Sequence, residues 1–442
     1  MSNDFKDINQ KMELILTVGQ ILAENGATTD RIIRNAQRVA AFMQIPEENF
    51  HLQVMPSILF LHVYDGEKTH FSFRSCEKHG VDMNIIATIS QFSWHALKKK
   101  YSAEKFQEIL NGIIERKKIY TQLLTYLAPG IACGAFCILF GGDFLAAIYT
   151  AICAAIGKFL QIKFLKFGIN SFVTITFAAF TATVAAYFAH FLPTQTIWVP
   201  LLACSLFLIP GVPIINSAID TLNGFLVNGL VQTFRTILIS LGMTVGIVIA
   251  LVVCTGFDPF NFMELCLTLA NLNLAPQYNL FIWTLAAAVA AIGFSILFNM
   301  PIRCLLSIGL LGILAVFTRN ILMIEFNLSQ EIGSFVGATL ASFATLKVTK
   351  WVQAPMQVLI IPALIPLVPG VLIYGFLFSC LNIAILTPEQ FFLSLQSGID
   401  AMQIIFLIAI GAALPNLLAK KIFDQKNKDE QKKFLNEVYT SK

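Results

Sequence analysis

Long apolar runs separated by short polar segments dominate the chain from Ile119 onward. Each run is close to the ~20 residues that an α-helix needs to cross ~30 Å of hydrocarbon. The pattern predicts about ten membrane-spanning helices, at approximately residues 119–140, 144–165, 169–189, 197–219, 236–256, 280–298, 304–323, 327–346, 354–377 and 399–418.

The residues before the first span follow a different pattern, with no uninterrupted apolar run long enough to cross a bilayer. An amphipathic helix ends at Asn25-Gly26, and Thr28 or Thr29 can cap a second helix. Three short strands follow, and Asp65-Gly66 supplies a hairpin turn between the last two. This part is therefore expected to be a small α/β domain, with strands at residues 50–55, 58–64 and 69–75 and later helices at about 84–99 and 103–117.

Two of the apolar runs share an interruption that points to an internal repeat. The segment Leu208–Ile215 (LIPGVPII) recurs in the second half of the chain as Leu367–Tyr374 (LVPGVLIY). The apolar pattern of residues 136–140 also reappears, at almost the same offset, at 294–298. Five spans per repeat is an odd number, so the second half must enter the membrane in the opposite direction. The predicted fold class is a polytopic α-helical membrane protein, with a cytoplasmic α/β domain at 1–118 and a 5+5 inverted repeat at 119–256 and 280–423.

Composition and charge agree with a membrane protein and set its orientation. The chain has 442 residues, of which 56% are hydrophobic and 13% charged, too few charges for a soluble surface. Lys and Arg cluster on one side of the predicted spans, and the opposite loops at 141–143, 190–196, 257–279 and 381–398 contain none. Only Arg319 departs from this trend. The positive-inside rule therefore predicts a multi-pass protein of the cell (inner) membrane with both termini cytoplasmic. A net charge of +4 is too small and scattered to suggest nucleic acid.

The Pro-Gly interruptions are the strongest candidates for a binding site. Proline removes a backbone donor and blocks the preceding helical turn, and glycine permits unusual dihedral angles. We expect the helices to unwind around Ile209–Pro213 and Pro366–Gly370, which frees carbonyl groups and helix N-termini that favour a carboxylate. The alternative is a kinked helix that merely packs around its proline. The candidate substrate-binding residues are Pro210, Gly211, Pro213, Asn216, Pro366, Pro369 and Gly370.

Two acidic residues are candidates for proton coupling. Asp220 lies four residues after Asn216, on the same helical face, where it is placed to line a cytoplasmic vestibule or carry a proton. Equally, Asp220 can cap an interfacial helix that reaches Arg235. Glu331 lies near the outer mouth of the eighth span, where it can bind protons or sit among headgroups.

Enzymatic and metal sites are not expected. His51, His62 and His70 lie on neighbouring strands but lack a recognised metal spacing, and solvated strand-face histidines are the expectation. There is no nucleophile elbow, P-loop or dinucleotide fingerprint, so we expect no cofactor, no catalytic residue and no ATP hydrolysis. Energy must then come from a gradient.

These motifs resemble those of the threonine/serine exporter family. The resemblance rests on Glu24-Asn25-Gly26-Ala27 with Arg31, on Leu208–Asn216 and on Ile365–Gly370. It implies a cytoplasmic N-terminal domain, ten membrane helices, and secondary export of small hydroxy amino acids driven by proton-motive force. Two-chain relatives are associated with C4-dicarboxylates such as succinate.

The leading expectation is a secondary transporter that exports threonine or serine, with protons and the lipid bilayer as its other partners. A succinate exporter is the alternative. A channel would instead show flux that does not saturate, and a membrane-anchored hydrolase would lose all function without its N-terminal domain. The sequence leaves the direction of transport open, and also whether the chain forms a homo-oligomer.

Overall fold

The computed structural model describes residues 8–78, 80–99, 101, 103–258, 260–261, 279–381 and 386–439. The predicted loop at 257–279 lies mostly outside the described residues, as do residues 382–385 of the loop predicted at 381–398.

The N-terminal region combines four helices with one small sheet. Its elements are α1 (Ile8–Glu24), α2 (Thr29–Phe42), β1 (Phe50–Val54), β2 (Ile58–Tyr64), β3 (Thr69–Ser75), α3 (Met83–Lys99) and α4 (Ala103–Ile114). The strands pair antiparallel in chain order, with Phe50 opposite Val63 and Ile58 opposite Ser75. Strand β1 ends one residue before the predicted Met55, and α4 ends three residues before the predicted 117.

Apolar and polar residues alternate along the central strand β2, and the face with the apolar residues packs against a helix. Leu59, Leu61 and Val63 of β2 are fully buried against α1, because successive strand residues point to opposite faces. A Cβ on Gly19 of α1 would lie 2.9 Å from Leu59 Cδ1, so the glycine lets the helix approach the sheet closely. The other face carries His51 and His62, which are exposed there as a cross-strand pair, whereas His70 lies opposite Val63 on the covered face.

A bundle of long apolar helices comes next in the chain. Eight described helices are long and apolar enough to cross a membrane, and two further helix pairs qualify together although each is bent at a break. The chain is thus a polytopic membrane protein. The bundle elements are α5 (Gln122–Leu139), α6 (Phe144–Lys166), α7 (Ser171–Tyr187), α8 (Val199–Ala203), α9 (Gly211–Leu222), α10 (Leu226–Cys254), α11 (Leu280–Leu297), α12 (Ile302–Ile324), α13 (Gln330–Val352), α14 (Met356–Leu364), α15 (Gly370–Leu381) and α16 (Pro388–Tyr439).

Two helices differ from their predicted limits. Helix α10 begins at Leu226, well before the predicted start at 236, because Gln232 and Arg235 lower the hydropathy of its first turns without stopping the helix. Helix α16 starts at Pro388 and continues to Tyr439, well past both predicted ends. Hydropathy marks the apolar part of a helix, whereas the backbone hydrogen bonds continue into its polar ends.

The helices of the two halves correspond in order and spacing. The sequence separation between the starts of α5 and α11 equals that between the starts of α6 and α12, and the separation for α9 and α15 is nearly the same. Helices α5 and α11 pack side by side. The N–H of Ile119 donates to Asn299 Oδ1 (2.9 Å) at one end, and Trp283 Nε1 donates to Leu139 O (3.0 Å) at the other. The start of each helix therefore lies beside the end of the other.

Small residues allow the neighbouring helices to approach closely at two Gly-x-x-x-Gly patterns, Gly130–Gly134 and Gly333–Gly337. A Cβ on Gly134 of α5 would lie 2.7 Å from Ala147 O of α6. A Cβ on Gly333 of α13 would lie 3.1 Å from Arg319 O of α12.

The N-terminal region packs against one end of the bundle, which we call the proximal face, and the opposite end is the distal face. The contact includes the N–H of Met83, which donates to Phe298 O (2.9 Å), and Asn299 Nδ2, which donates to Asp82 Oδ2 (2.7 Å). Helix α12 follows directly after this contact, so it runs from the proximal to the distal face.

Candidate functional site

The first Pro-Gly interruption breaks its span between α8 and α9. A single 3₁₀ turn, Leu206–Leu208, leads into an extended Ile209, and α9 starts at Gly211. The helix axis turns by 60° here. Pro210 has no N–H to continue the ladder, and the N–H of Gly211 donates instead to Ile209 O at 2.8 Å.

The second interruption repeats this geometry between α14 and α15. The 3₁₀ turn Ile365–Leu367 contains Pro366, Val368 is extended, and α15 starts at Gly370. The N–H of Gly370 donates to Val368 O, again at 2.8 Å, and the bend is 64°. The prediction of a break at each motif agrees with these bends.

The first break is shorter than the sequence predicted. The expected unwound segment reached Pro213, but the helix resumes at Gly211, so Pro213 lies in the first turn of α9. Proline is tolerated there because the N–H groups of a first turn have no partner within the helix. The unwound backbone is therefore confined to Ile209 and Pro210.

The two breaks face each other across the bundle. A Cβ on Gly211 would lie 3.4 Å from Ile365 Cγ1, and a Cβ on Gly370 would lie 2.7 Å from Ile209 Cδ1. Between them lies an apolar cavity of about 20 Å³, large enough for one water molecule and too small for an amino acid. The path between the breaks is closed in this conformation. The cavity is lined by Phe136, Phe140, Leu206, Ile209, Gly211, Phe294, Ile365, Val368 and Gly370.

The polar residues after the first break contact the N-terminal region. Both oxygens of Asp220 accept hydrogen bonds from Thr29, Oδ1 from the backbone N–H (3.0 Å) and Oδ2 from the hydroxyl (2.9 Å). Asn216 Nδ2 donates to Gly26 O at 2.9 Å. Asp220 thus lies at the N-terminus of α2, where a carboxylate satisfies free N–H groups and interacts favourably with the helix dipole. It caps a helix of the N-terminal region rather than an interfacial helix reaching Arg235.

Further residues complete this buried contact, which we call the docking site: Gly26, Thr28, Thr29, Arg31, Asn216, Asp220, Asn228 and Gln357. Asn228 Nδ2 donates to Thr29 Oγ1 (2.8 Å) and to Val54 O (3.0 Å). Gln357 Oε1 accepts from Thr28 Oγ1 (2.9 Å) and from Arg31 Nε (2.8 Å). Burial, with Arg34 nearby, lowers the pKa of Arg31 to about 10, so it stays charged at neutral pH.

The sequence analysis did not assign a role to Asn228 or Gln357. The sequence around Gln357 does indicate a buried contact. Gln357 is the one polar residue in the apolar segment Met356–Leu364, and a buried amide there needs a hydrogen-bond partner. Asn228 lies in the polar start of α10, outside the apolar run that was taken as the span.

Glu331 lies far from these residues. It occupies the first turn of α13, which begins at the distal face, where an acidic side chain is favourable at a helix N-terminus. Asp220 lies at the proximal face, so the structure does not bring the two candidate coupling residues together.

The histidines of the sheet lie on both of its faces, with His51 and His62 on one and His70 on the other. Among the described residues, no group of three His, Cys, Asp or Glu side chains is placed to hold a metal ion. His70 Nε2 instead pairs with Asp65 Oδ2 at 2.6 Å, and hydrogen bonds from the backbone N–H groups of Lys68 and Glu67 hold the pKa of Asp65 well below its usual range.

Comparisons with known proteins place this architecture in a family. A family model for threonine/serine exporters matches residues 13–254, and a second, described as "Threonine/Serine exporter, ThrE", matches residues 283–418. A protein of Mycobacterium tuberculosis (strain ATCC 25618 / H37Rv), named "Probable threonine/serine exporter", is 21% identical over 386 residues, covering 86% of this chain and 72% of that protein. No solved structure matches the chain. With both halves matched, the chain belongs to the threonine/serine exporter family of membrane transport proteins.

Proposed function

We propose that this protein is a secondary transporter that exports threonine and serine across the cell (inner) membrane, driven by proton-motive force. The observation that carries the proposal is the pair of broken spans, whose glycines face each other across the bundle. Paired helix breaks at corresponding places in two halves mark the substrate site in many secondary transporters. Family membership supports the choice of small hydroxy amino acids as cargo.

The two halves, residues 119–256 and 280–423, form an inverted repeat in this proposal. Its support is the antiparallel packing of α5 and α11, which hold corresponding places in the two halves. Alternating access follows if one half rocks against the other, so that the cavity between the breaks opens to each side in turn. Pro210, Gly211, Pro213, Asn216, Pro366, Pro369 and Gly370 then provide the backbone that meets the solute.

The N-terminal domain, residues 1–118, closes the cytoplasmic entrance in this scheme, and both chain termini are cytoplasmic. Its support is the docking site, in which the segment from Gly26 to Thr29 covers Asn216 and Asp220. Release of Thr29 would expose the carboxylate of Asp220 to the cytoplasm. Proton binding at Asp220, and at Glu331 on the other side, is the proposed coupling.

The first test is efflux of preloaded, labelled threonine, serine and succinate from cells that express the protein. Wild type should give saturable efflux of threonine or serine that a protonophore weakens. The double variant Pro210→Ala/Pro369→Ala should approach the rate of empty cells, because alanine lets each helix continue through its break. Pro129→Ala at matched expression is the control, since Pro129 lies inside α5 and away from both breaks.

Three outcomes would contradict the proposal. Wild-type efflux of threonine and serine no faster than from empty cells removes the substrate assignment, and efflux of succinate alone favours the dicarboxylate alternative. Flux that never saturates indicates a channel.

A further inference from the structure

Arg319 is a buried cation in the distal half of the bundle. It lies in the last part of α12 (Ile302–Ile324), about 25 Å along the helix axis from the proximal end. Only 8% of its surface is exposed. Its Nε donates to Asn320 Oδ1 at 3.0 Å, and its guanidinium lies 6.0 Å from the ring centre of Trp283.

No ion pair joins Arg319 to a carboxylate in the part of the chain that the structure describes. Removing a guanidinium from water without a counter-charge is expensive, and such residues inside a membrane domain are usually functional. Within the described residues, the neutral contacts to Asn320 and Trp283 leave the four terminal N–H groups of the fork for another acceptor.

Two neighbouring polar groups also lack partners. Among the described residues, Asn320 Nδ2 and Ser334 Oγ are buried without a hydrogen bond. Ser334 follows Gly333, and a Cβ on Gly333 would lie 3.2 Å from Arg319 Cγ, so this turn of α13 packs against Arg319. A guanidinium, an amide NH₂ and a hydroxyl together form a donor set that matches a carboxylate.

The cluster lies next to the break cavity on its distal side. Trp283, whose ring faces Arg319, donates its indole N–H to Leu139 O. The residue after Leu139 is Phe140, which lines the cavity. Trp283 therefore connects the end of α5, beside the cavity, to Arg319.

We propose that Arg319, with Asn320 and Ser334, binds the carboxylate of the transported solute on the distal side of the breaks. This inference rests on the proposed function for the identity of the solute, but the need for an anion follows from the burial of Arg319 itself. In an exporter the site would hold the carboxylate after it has passed the break and before release.

The experiment compares wild type, Arg319→Met, Arg319→Lys and Arg303→Met by thermal unfolding in detergent. Each is measured with L-threonine, L-serine, succinate, and L-threoninol, which has an alcohol in place of the carboxylate. At least one carboxylate, but not threoninol, should raise the midpoint of wild type. In Arg319→Met the affinity for that carboxylate should fall about tenfold or more, with a ligand-free midpoint at or above that of wild type, because a buried unpaired charge is gone.

The other two variants show whether binding depends on the charge of Arg319, on the geometry of its guanidinium, or on the loss of any arginine from this helix. Arg319→Lys should keep part of the affinity, since an ammonium retains the charge but not the two-pronged geometry, and it decides the matter if Arg319→Met does not fold. Arg303→Met is the control, because Arg303 is an exposed arginine at the proximal end of the same helix, and it should bind as wild type does.

The outcomes distinguish this inference from the proposed function. An unchanged carboxylate effect in Arg319→Met, or no carboxylate effect in wild type, overturns the inference. If export is saturable and Arg319→Met exports with unchanged KM, the inference fails while the proposed function stands. If the carboxylate effect depends on Arg319 but wild-type cells export none of the three solutes, the site stands and the proposed function fails.

Discussion

The two broken spans share a backbone geometry and differ in the side chains of the helix after each break. Both have a 3₁₀ turn, an extended residue, a proline and a helix that starts at glycine, with bends of 60° and 64°. After Gly211 come Asn216 and Asp220, which bind the N-terminal region. At the corresponding positions after Gly370, the chain has Gly375 and Ser379.

This difference separates two requirements. The Pro-Gly pair alone determines where the helix breaks, because proline and glycine act on the backbone. The polar side chains after the first break bind that helix to the N-terminal region, which the second half contacts through Gln357 and Asn299 instead. The backbone geometry of a break can therefore be kept while the side chains of the helix that follows it change.

The largest expected effect is at Asp220. In Asp220→Ala, the N–H and hydroxyl of Thr29 lose both acceptors in a buried contact, which should cost about 1–3 kcal/mol of stability. Limited proteolysis of the linker between α4 and α5, with the thermal midpoint in detergent, would measure it. The matched variant is Ser379→Ala, whose hydroxyl pairs with Ser394 Oγ (2.7 Å) and whose loss should cost about 0.5–1.5 kcal/mol.

Equal proteolysis of the two variants would contradict the assignment of the docking site to the first break. Faster cleavage in Asp220→Ala alone would support it.

A smaller effect is expected from alanine at the two glycines. A Cβ on Gly370 would lie 2.7 Å from the end of the Ile209 side chain, which must then move, whereas a Cβ on Gly211 finds ordinary contact at 3.4 Å. Gly370→Ala should therefore lower the efflux rate and the thermal midpoint, with a loss of stability of up to about 1 kcal/mol. Gly211→Ala should leave both close to those of wild type. The reverse order would mean that the two breaks are not packed against each other as described.

The sequence predicted the breaks but not the docking site, for a physical reason. Proline and glycine act on their own backbone, so their effect is local and can be predicted from the neighbouring sequence. The partner of Asp220 is Thr29, 191 residues away, and nothing in the local pattern of either residue identifies the other. Gln357 shows the intermediate case: its isolated polarity indicates that a partner exists, but not that the partners are Thr28 and Arg31.

The smallest effect tests how the second half holds the N-terminal region. Asp82 accepts hydrogen bonds from Asn299 Nδ2 and from the N–H of Ile85, and burial, which outweighs these bonds, raises its pKa above the ordinary value. The folded protein then binds this proton more tightly than the unfolded chain does. Asp82 therefore stabilises the fold least at high pH, and its contribution falls as the pH rises through the raised pKa.

Asp82→Asn keeps a capping oxygen for α3 but cannot ionise, so it removes this pH dependence. Between pH 4 and pH 7, the thermal midpoint of wild type should fall relative to that of Asp82→Asn. This fall should be smaller than the changes expected for Asp220→Ala and Gly370→Ala. The sign distinguishes two roles of the contact. A gap that instead favours wild type as the pH rises would mean that the ionised carboxylate holds Asn299. A fall means that Asp82 binds Asn299 best when neutral, so this attachment of the N-terminal region to the second half does not depend on an ionised carboxylate.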